Sequence, residues 1–290
     1  LPVRNFSSGQ LTTPDDGPLR MGGDFIRELN EGRGGQTQHA CMPGCLIKCS
    51  NVYVDDTGRE LVSPLEYETI GLLGTNCGLE DPDDVARLNE TANDLGVDSI
   101  ELGAMIGVLM EAGKGAFGDV AFMQDCLSEI ASGSEMGRFY ASGTARVGTG
   151  LNVARVPVIK KQAISAYDPR IIEVTGISMM LTAQGADHTV GNAPSFKCDD
   201  KTIDELVAES LRMQINSAVA DSFGLCVFGR SVTDDNLELI ATAINDAFDA
   251  GVSPDFIRNI GFETLRLEAA FNKAAGFDMD DDELPAFFRD

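Results

Sequence analysis

Three of the chain's seven cysteines fall in one short segment, Cys41-Met-Pro-Gly-Cys45-Leu-Ile-Lys-Cys49. Thiols at this spacing suit a metal centre. An iron–sulfur cluster needs several thiolates within a few ångströms, and neighbouring cysteines supply them at small entropic cost, with a fourth ligand from elsewhere. Cys77, Cys126, Cys198 and Cys226 are the remaining candidates. Zinc is the main alternative. With only His39 and His188 in the chain, a zinc site would have to be mostly thiolate. A disulfide pair with unpaired cysteines is the third reading.

The charge of the chain narrows its partners. A net charge of −24 repels phosphate backbones and anionic membrane surfaces, which argues against nucleic-acid binding. The local exception runs from Arg138 to Arg170, where Arg138, Arg146, Arg155, Lys160, Lys161 and Arg170 face Asp168 as the only acid. Such a cationic island suits an anionic cofactor or a redox partner, and also arises by chance. No apolar run approaches the roughly twenty residues of a bilayer span. The chain opens on Leu1 with no basic-then-apolar leader, so an upstream portion and a reducing cytoplasm that keeps thiols available for metal are expected.

The elements that must hold these residues are mostly helices. The first forty residues, rich in Gly, Asp, Thr and Pro, read as extended, surface-wrapping structure. Asp81-Pro82 is an N-cap followed by a first-turn proline, with Asp83 and Asp84 at the positive end of the dipole. Val85, Leu88, Ala92 and Leu95 follow at helical spacing and Gly96 supplies a stop. Further helices are predicted over 99–112 and 120–131. After a loop-like stretch over 143–170, a long amphipathic helix is expected over 202–220, burying Ile203, Leu206, Val207, Leu211 and Ile215. Thr233 with Asp234 and Asp235 starts another helix, and Ser253-Pro254-Asp255 caps one that reaches Ala275. Strand patterns are few and short, at 52–54 and 156–159. The fold class is mainly α, in two helical halves.

One six-residue pattern occurs twice. Asn93-Asp94-Leu95-Gly96-Val97-Asp98 and Asp221-Ser222-Phe223-Gly224-Leu225-Cys226 each close a predicted helix and share the form [ND]-x-x-G-[VL]-[DC]. Ordinary helix termini end in this way too. Alternatively, each Gly turn admits a flat ligand to the backbone while a carboxylate accepts hydrogen bonds from its amino groups.

Taken together, these segments resemble the carboxy-terminal part of the tungsten-containing aldehyde ferredoxin oxidoreductase family over nearly the whole chain. Leu1-Pro-Val-Arg-Asn-Phe6 resembles the family segment that follows an amino-terminal cofactor-binding domain, a β-rich domain that would lie outside this chain. The cysteine run resembles the family's cluster motif, three thiolates followed much later by a fourth in a D-x-x-G-L-C segment, here Asp221 to Cys226. Leu65-Glu66-Tyr67-Glu68-Thr69 resembles the E-Y-E-T region that brings an acidic residue towards the metal. Ala166-Tyr167-Asp168-Pro169-Arg170 resembles the A-Y-D-P-R signature, and Gly185-Ala186-Asp187-His188 the segment carrying an active-site histidine.

The resemblance implies the family's domains 2 and 3, a first helical domain over 1–158 and a second over 159–290. It implies oxidation of an aldehyde to a carboxylic acid at a tungsten, or molybdenum, bis-pterin centre, with electrons leaving through a [4Fe-4S] cluster to ferredoxin or a similar carrier. Cys41, Cys45, Cys49 and Cys226 would ligate iron. Asn93, Asp98, Asp221, Gly224 and Leu225 would hold the two pterins, and Arg170, with Arg146, Arg155, Lys160 and Lys161, would be available to phosphates. His188 and either Glu66 or Glu68 would be the acid–base groups. Departures from the family pattern are the three-residue first cysteine gap, Asn93 in place of an Asp and Val97 in place of a Leu. Cys77 could approach the metal, as in relatives that reduce aromatic thioesters, or be an inert buried thiol. A tungsten enzyme on another substrate, such as an aromatic thioester reductase, and a non-catalytic iron–sulfur electron-transfer subunit remain the alternatives. Assembly as a homo-oligomer stays open.

Overall fold

Helix ends written into the sequence set the order of the elements. The computed structural model describes residues 1–9, 11–13, 15 and 17–289, with Ser231 described by its backbone alone. Two compact units result, Leu1–Asp168 with Pro285–Asp290, and Pro169–Leu284.

In the first unit, α1 (Gly23–Gly32) precedes an antiparallel sheet in the order β1 (Gln36–His39), β2 (Ser50–Val54), β3 (Glu60–Val62). A single turn, α2 (Tyr67–Thr69), runs into a π-helical turn, Ile70–Gly74, and a 3-10 turn, Thr75–Cys77. Asp81 caps α3 (Pro82–Leu95) by accepting from the Asp83 amide, and Gly96 ends it in the left-handed region at φ +69°. Asp98, Asp119 and Ser134 cap α4 (Ser99–Glu111), α5 (Val120–Ser132) and α6 (Glu135–Tyr140) in the same way. Then come α7 (Thr144–Gly150) and a short hairpin, β4 (Val158–Ile159) with β5 (Gln162–Ala163).

The centre of this unit is α4. It is apolar all round, and every residue from Leu102 to Met110 is buried, as expected of a helix surrounded by protein. Its glycines set the packing distance. A Cβ on Gly103 would lie 2.4 Å from the Leu72 carbonyl carbon, so α4 and the π-helical turn touch backbone to backbone. Val85, Leu88 and Ala92 of α3, Met123 and Leu127 of α5, and Tyr53 of β2 complete the core. The terminal 3-10 turn, Ala286–Arg289, returns to this unit, with Phe288 edge-on to Phe6 at 5.4 Å.

The second unit holds α8 (Glu173–Leu181), α9 (Ile203–Ser222), α10 (Arg230–Thr233), α11 (Leu237–Phe248) and α12 (Pro254–Ala275). A reciprocal capping box of Thr202 and Glu205 starts α9, and Ser253 caps α12. Its apolar packing includes a cluster around Val219, Ile240 and Ile257 and another around Val174, Ala193 and Leu206.

Four expectations are corrected. The first forty residues contain α1, a helix whose two glycines and four charged residues masked it and whose one buried residue is Asn30. The 143–170 stretch contains α7 and the β4–β5 hairpin; α7 is low in helix propensity and is held by Glu101, which accepts from the Thr144 amide at 2.6 Å. On α9, Leu206 is buried but Ile203, Val207 and Leu211 are exposed, and the buried stripe is Ser210, Gln214, Ser217 and Ala218. The reason is the partners of that stripe: the Ser210 hydroxyl lies 2.8 Å from that of Ser178 on α8, a Cβ on Gly191 would lie 2.9 Å from Gln214, and Ser217 accepts from Arg230 at 2.9 Å, so polar side chains face neighbouring protein there. Thr233 ends α10 instead of starting a helix, because Asp234 is drawn to Arg230 and Asn216, each at 3.1 Å, and α11 begins at Leu237.

Candidate functional site

Cys41, Cys45 and Cys49 all lie in the loop between β1 and β2. Gly44 (φ +82°) and Lys48 (φ +50°) fold it back on itself. None of the seven cysteines is in a disulfide; Cys41 and Cys49 are exposed and Cys45 is half-buried. Met42, Leu46 and Ile47 expose apolar surface on the same loop. Soft donors in an apolar setting suit a thiolate-ligated cluster. Among the described residues, no three His, Cys, Asp or Glu side chains are gathered into a metal-binding group. His39 hydrogen-bonds Gln36 at 3.1 Å.

The repeated six-residue pattern folds the same way in both units. At the end of α3, the Gly96 amide donates to the Asn93 carbonyl at 3.0 Å and the Val97 amide to the Ala92 carbonyl at 3.1 Å. At the end of α9, Gly224 donates to Asp221 at 3.2 Å and Leu225 to Ala220 at 2.8 Å. Gly96 and Gly224 are both left-handed, at φ +69° and +64°, which glycine adopts without steric cost. The two turns differ at the sixth position. Asp98 accepts from the Ile100 and Glu101 amides and so caps α4, whereas Cys226 is exposed and caps nothing. A carboxylate retains acceptor capacity after two such bonds, so Asp98 can still take a ligand amine. Asn93 and Asp221 are exposed.

Within the first unit, the E-Y-E-T segment meets Ala166 and Tyr167, the opening residues of the A-Y-D-P-R segment. Glu68 is 8% exposed, and its Oε2 accepts from the Ala166 amide at 2.7 Å. Glu66 is exposed. The two carboxylates do not share a face: Glu66 is the extended residue that precedes α2, whereas Glu68 lies inside the turn on its buried side. Partial burial pushes the Glu66 carboxyl up from its ordinary value. Tyr67 donates to the Ala166 carbonyl at 3.1 Å and its ring lies 5.0 Å from that of Tyr167. Burial pushes its hydroxyl up to about 12, helped by Tyr167 and Glu68. This tyrosine pair was not nominated from sequence, although two of the chain's four tyrosines stand in the two motifs.

In the second unit, His188 is half-buried, with Nδ1 3.8 Å from Asp187 Oδ1. The same Asp187 oxygen accepts from the Thr189 amide at 2.6 Å and hydroxyl at 2.8 Å, which fixes the turn that presents the histidine. Arg170 is exposed. Of the cationic island, Arg155 lies 4.8 Å over the Phe287 ring and 3.8 Å from Glu111, so its charge is partly committed to packing. Lys160 and Lys161 occupy the β4–β5 turn, both left-handed, at φ +50° and +67°. Cys77 is fully buried, and its thiol donates to the Leu72 and Gly103 carbonyls at 3.3 and 3.4 Å.

Known proteins share these segments. The profile described as "Aldehyde ferredoxin oxidoreductase, domains 2 & 3" matches residues 1–290. A tungsten-containing aldehyde ferredoxin oxidoreductase of Pyrococcus horikoshii is 29% identical over 273 residues, 84% of this chain and 44% of the relative. The Pyrococcus furiosus protein of the same name is 27% identical over 270 residues, again 84% and 44%. A third relative, "Aliphatic sulfonate oxidoreductase, WOR-like subunit" of Pyrococcus furiosus, is 24% identical over 277 residues, 84% of this chain and 42% of its own. The chain thus spans less than half the length of the curated relatives it matches. With the profile covering its full length, the chain belongs to the aldehyde ferredoxin oxidoreductase family, in the region of its domains 2 and 3.

Proposed function

We propose that this chain is the carboxy-terminal, catalytic portion of a tungsten bis-pterin oxidoreductase that converts an aldehyde to a carboxylic acid and passes the electrons to ferredoxin or a similar carrier. The observation that carries the reading is the pair of identically hydrogen-bonded Gly turns, one closing on a carboxylate and the other on an exposed thiol. When bound, the tungsten centre would take two electrons from the hydrated aldehyde and the cluster would pass them on singly.

The chain's own residues then have distinct tasks. Asn93, Asp98 and Asp221 present oxygens to pterin amino groups, while Gly224 and Leu225 offer backbone to a flat ring. Arg170 offers a guanidinium to phosphate. Cys41, Cys45, Cys49 and Cys226 hold the cluster, the last from the same turn as Asp221. His188 takes up a proton at an imidazole nitrogen, and Glu68 is the favoured partner carboxylate over Glu66, since it is the one turned inward.

A second substrate class is suggested by the relative named an aliphatic sulfonate oxidoreductase subunit, which is 24% identical over an alignment that covers 84% of this chain. Elemental mass spectrometry on the anaerobically purified full-length protein tests the main reading. It expects about four irons and one tungsten or molybdenum per chain. Iron alone would leave an electron-transfer subunit, and zinc would overturn the cluster. Activity on no aldehyde in tungsten-loaded protein would favour the other substrate class.

A further inference from the structure

The strand that follows Cys49 is fastened on three sides by side chains that the proposed chemistry does not use. Asn51 makes a two-way amide contact with Leu65: its Nδ2 donates to the Leu65 carbonyl at 2.9 Å and its Oδ1 accepts from the Leu65 amide at 3.0 Å. Leu65 is bonded directly to Glu66, the first carboxylate of the E-Y-E segment. Tyr53, fully buried, donates to Asp83 at 2.6 Å, and Arg33 grips the same carboxylate in a fork at 2.6 and 3.0 Å. Asp83 stands in the first turn of α3, whose far end is the Asn93–Asp98 Gly turn. Asn30, 2% exposed, closes the base of the hairpin, donating to the Val52 carbonyl at 2.9 Å and accepting from the Val54 amide at 3.0 Å.

These bonds are costly to place for stability alone. Arg33 and Asp83 are 19% and 15% exposed, and a partly buried ion pair often contributes no more than an apolar pair of the same volume. What such pairs specify is geometry, because a forked guanidinium–carboxylate contact allows one orientation. The cysteine loop exposes Cys41, Cys49 and Leu46 and joins β1 to β2. What fixes the strand ends therefore helps to set its position.

We infer that β2 is a positioning strand, with Asn51 holding the cysteine loop against the carboxylate segment and the Arg33–Asp83–Tyr53 network holding it against the first turn of α3, the helix that carries the Gly turn at its far end. This inference rests on the proposed function. Its consequence is that the cluster's placement relative to two other parts of the site is determined within one unit and before any cofactor arrives.

The test uses the full-length protein with Tyr53→Phe, which removes one hydroxyl and keeps the ring, and Asn51→Ala. Circular dichroism establishes that each is folded; should Asn51→Ala fail to fold, Tyr53→Phe carries the test alone. Three readouts follow: amide exchange over 40–50 in metal-free protein, iron release to a chelator, and the electron paramagnetic resonance spectrum and midpoint potential of the reduced cluster. The expected result is faster exchange in the loop, about tenfold faster iron release and an altered spectrum and potential, which a purely structural role would leave in place. Folded variants matching the wild type in all three overturn the inference while the cluster reading stands. Wild-type protein that holds no iron overturns the cluster reading and this inference with it.

Discussion

The Glu68 carboxylate accepts a hydrogen bond of 2.7 Å from the backbone amide of Ala166, a residue 98 positions away. That bond, with the stacked rings of Tyr67 and Tyr167, makes one surface of two separate motifs. It also means that Glu68 has a structural task whatever else it does. Glu68→Gln keeps an acceptor for Ala166, so thermal stability is expected to stay close to wild type, while Glu68→Ala strands the amide and costs about 1–3 kcal/mol. If Glu68 moves a proton in turnover, Glu68→Gln loses activity at unchanged melting temperature; full activity in that variant removes Glu68 from the chemistry.

His188→Asn separates catalysis from assembly. The turn around Asp187 and Thr189 does not depend on the imidazole, so the variant is expected to fold. Turnover should fall while iron content and the cluster's resonance spectrum stay as in wild type. Unchanged turnover would end the assigned role.

Acid should loosen the first unit through Asp83. Burial pushes its carboxyl up, but hydrogen bonds from Arg33 and Tyr53 outweigh this and hold it below its ordinary value. A carboxyl depressed in the folded state contributes stability that is present above the unfolded value, about 3.9, and is lost as pH falls through the folded one. Urea unfolding from pH 6 downwards should therefore show stability decreasing below about pH 4, and Asp83→Asn should flatten that dependence while lowering stability at pH 6. An equally steep acid limb in Asp83→Asn would assign it to other carboxyls.

Thiol labelling sorts the seven cysteines. In metal-free protein, Cys41, Cys49 and Cys226 are exposed and are expected to react first with iodoacetamide. Cys77 and Cys126 should react only after denaturation, because burial raises both thiols, Cys126 to about 12, and removes them from the reagent. Mass spectrometry of labelled peptides reads the order. Early labelling of Cys77 would place it in an open site after all.

Two glycine substitutions probe the core. Gly103→Ala drives a methyl into the Leu72 backbone and should destabilise the first unit by about 2 kcal/mol or more. Gly32→Ala meets nothing within contact distance and should be neutral or slightly stabilising. Denaturant midpoints compare the two.

Local chemistry was legible in the chain before any coordinates. Asp81, Ser253 and Thr202 cap their helices because capping is decided within four residues, and the repeated glycine pattern announced two equal turns for the same reason. The cysteine spacing put three thiols in one loop. Tertiary structure alone decided which side of each element is used. It turned Glu68 inward and left Glu66 outward, because the turn begins only at Tyr67 and the Ala166 amide arrives on the side of Glu68. It buried serines on α9 in place of Val207 and Leu211, because Ser178 of α8 and Arg230 of α10 arrive to hydrogen-bond Ser210 and Ser217. It committed Asn51, Tyr53 and Asp83 to β2 through partners up to 30 residues away. Sequence determines what lies within a turn, since those contacts are made by neighbours in the chain; facing and pairing depend on which distant backbone arrives, and only the packed fold specifies that.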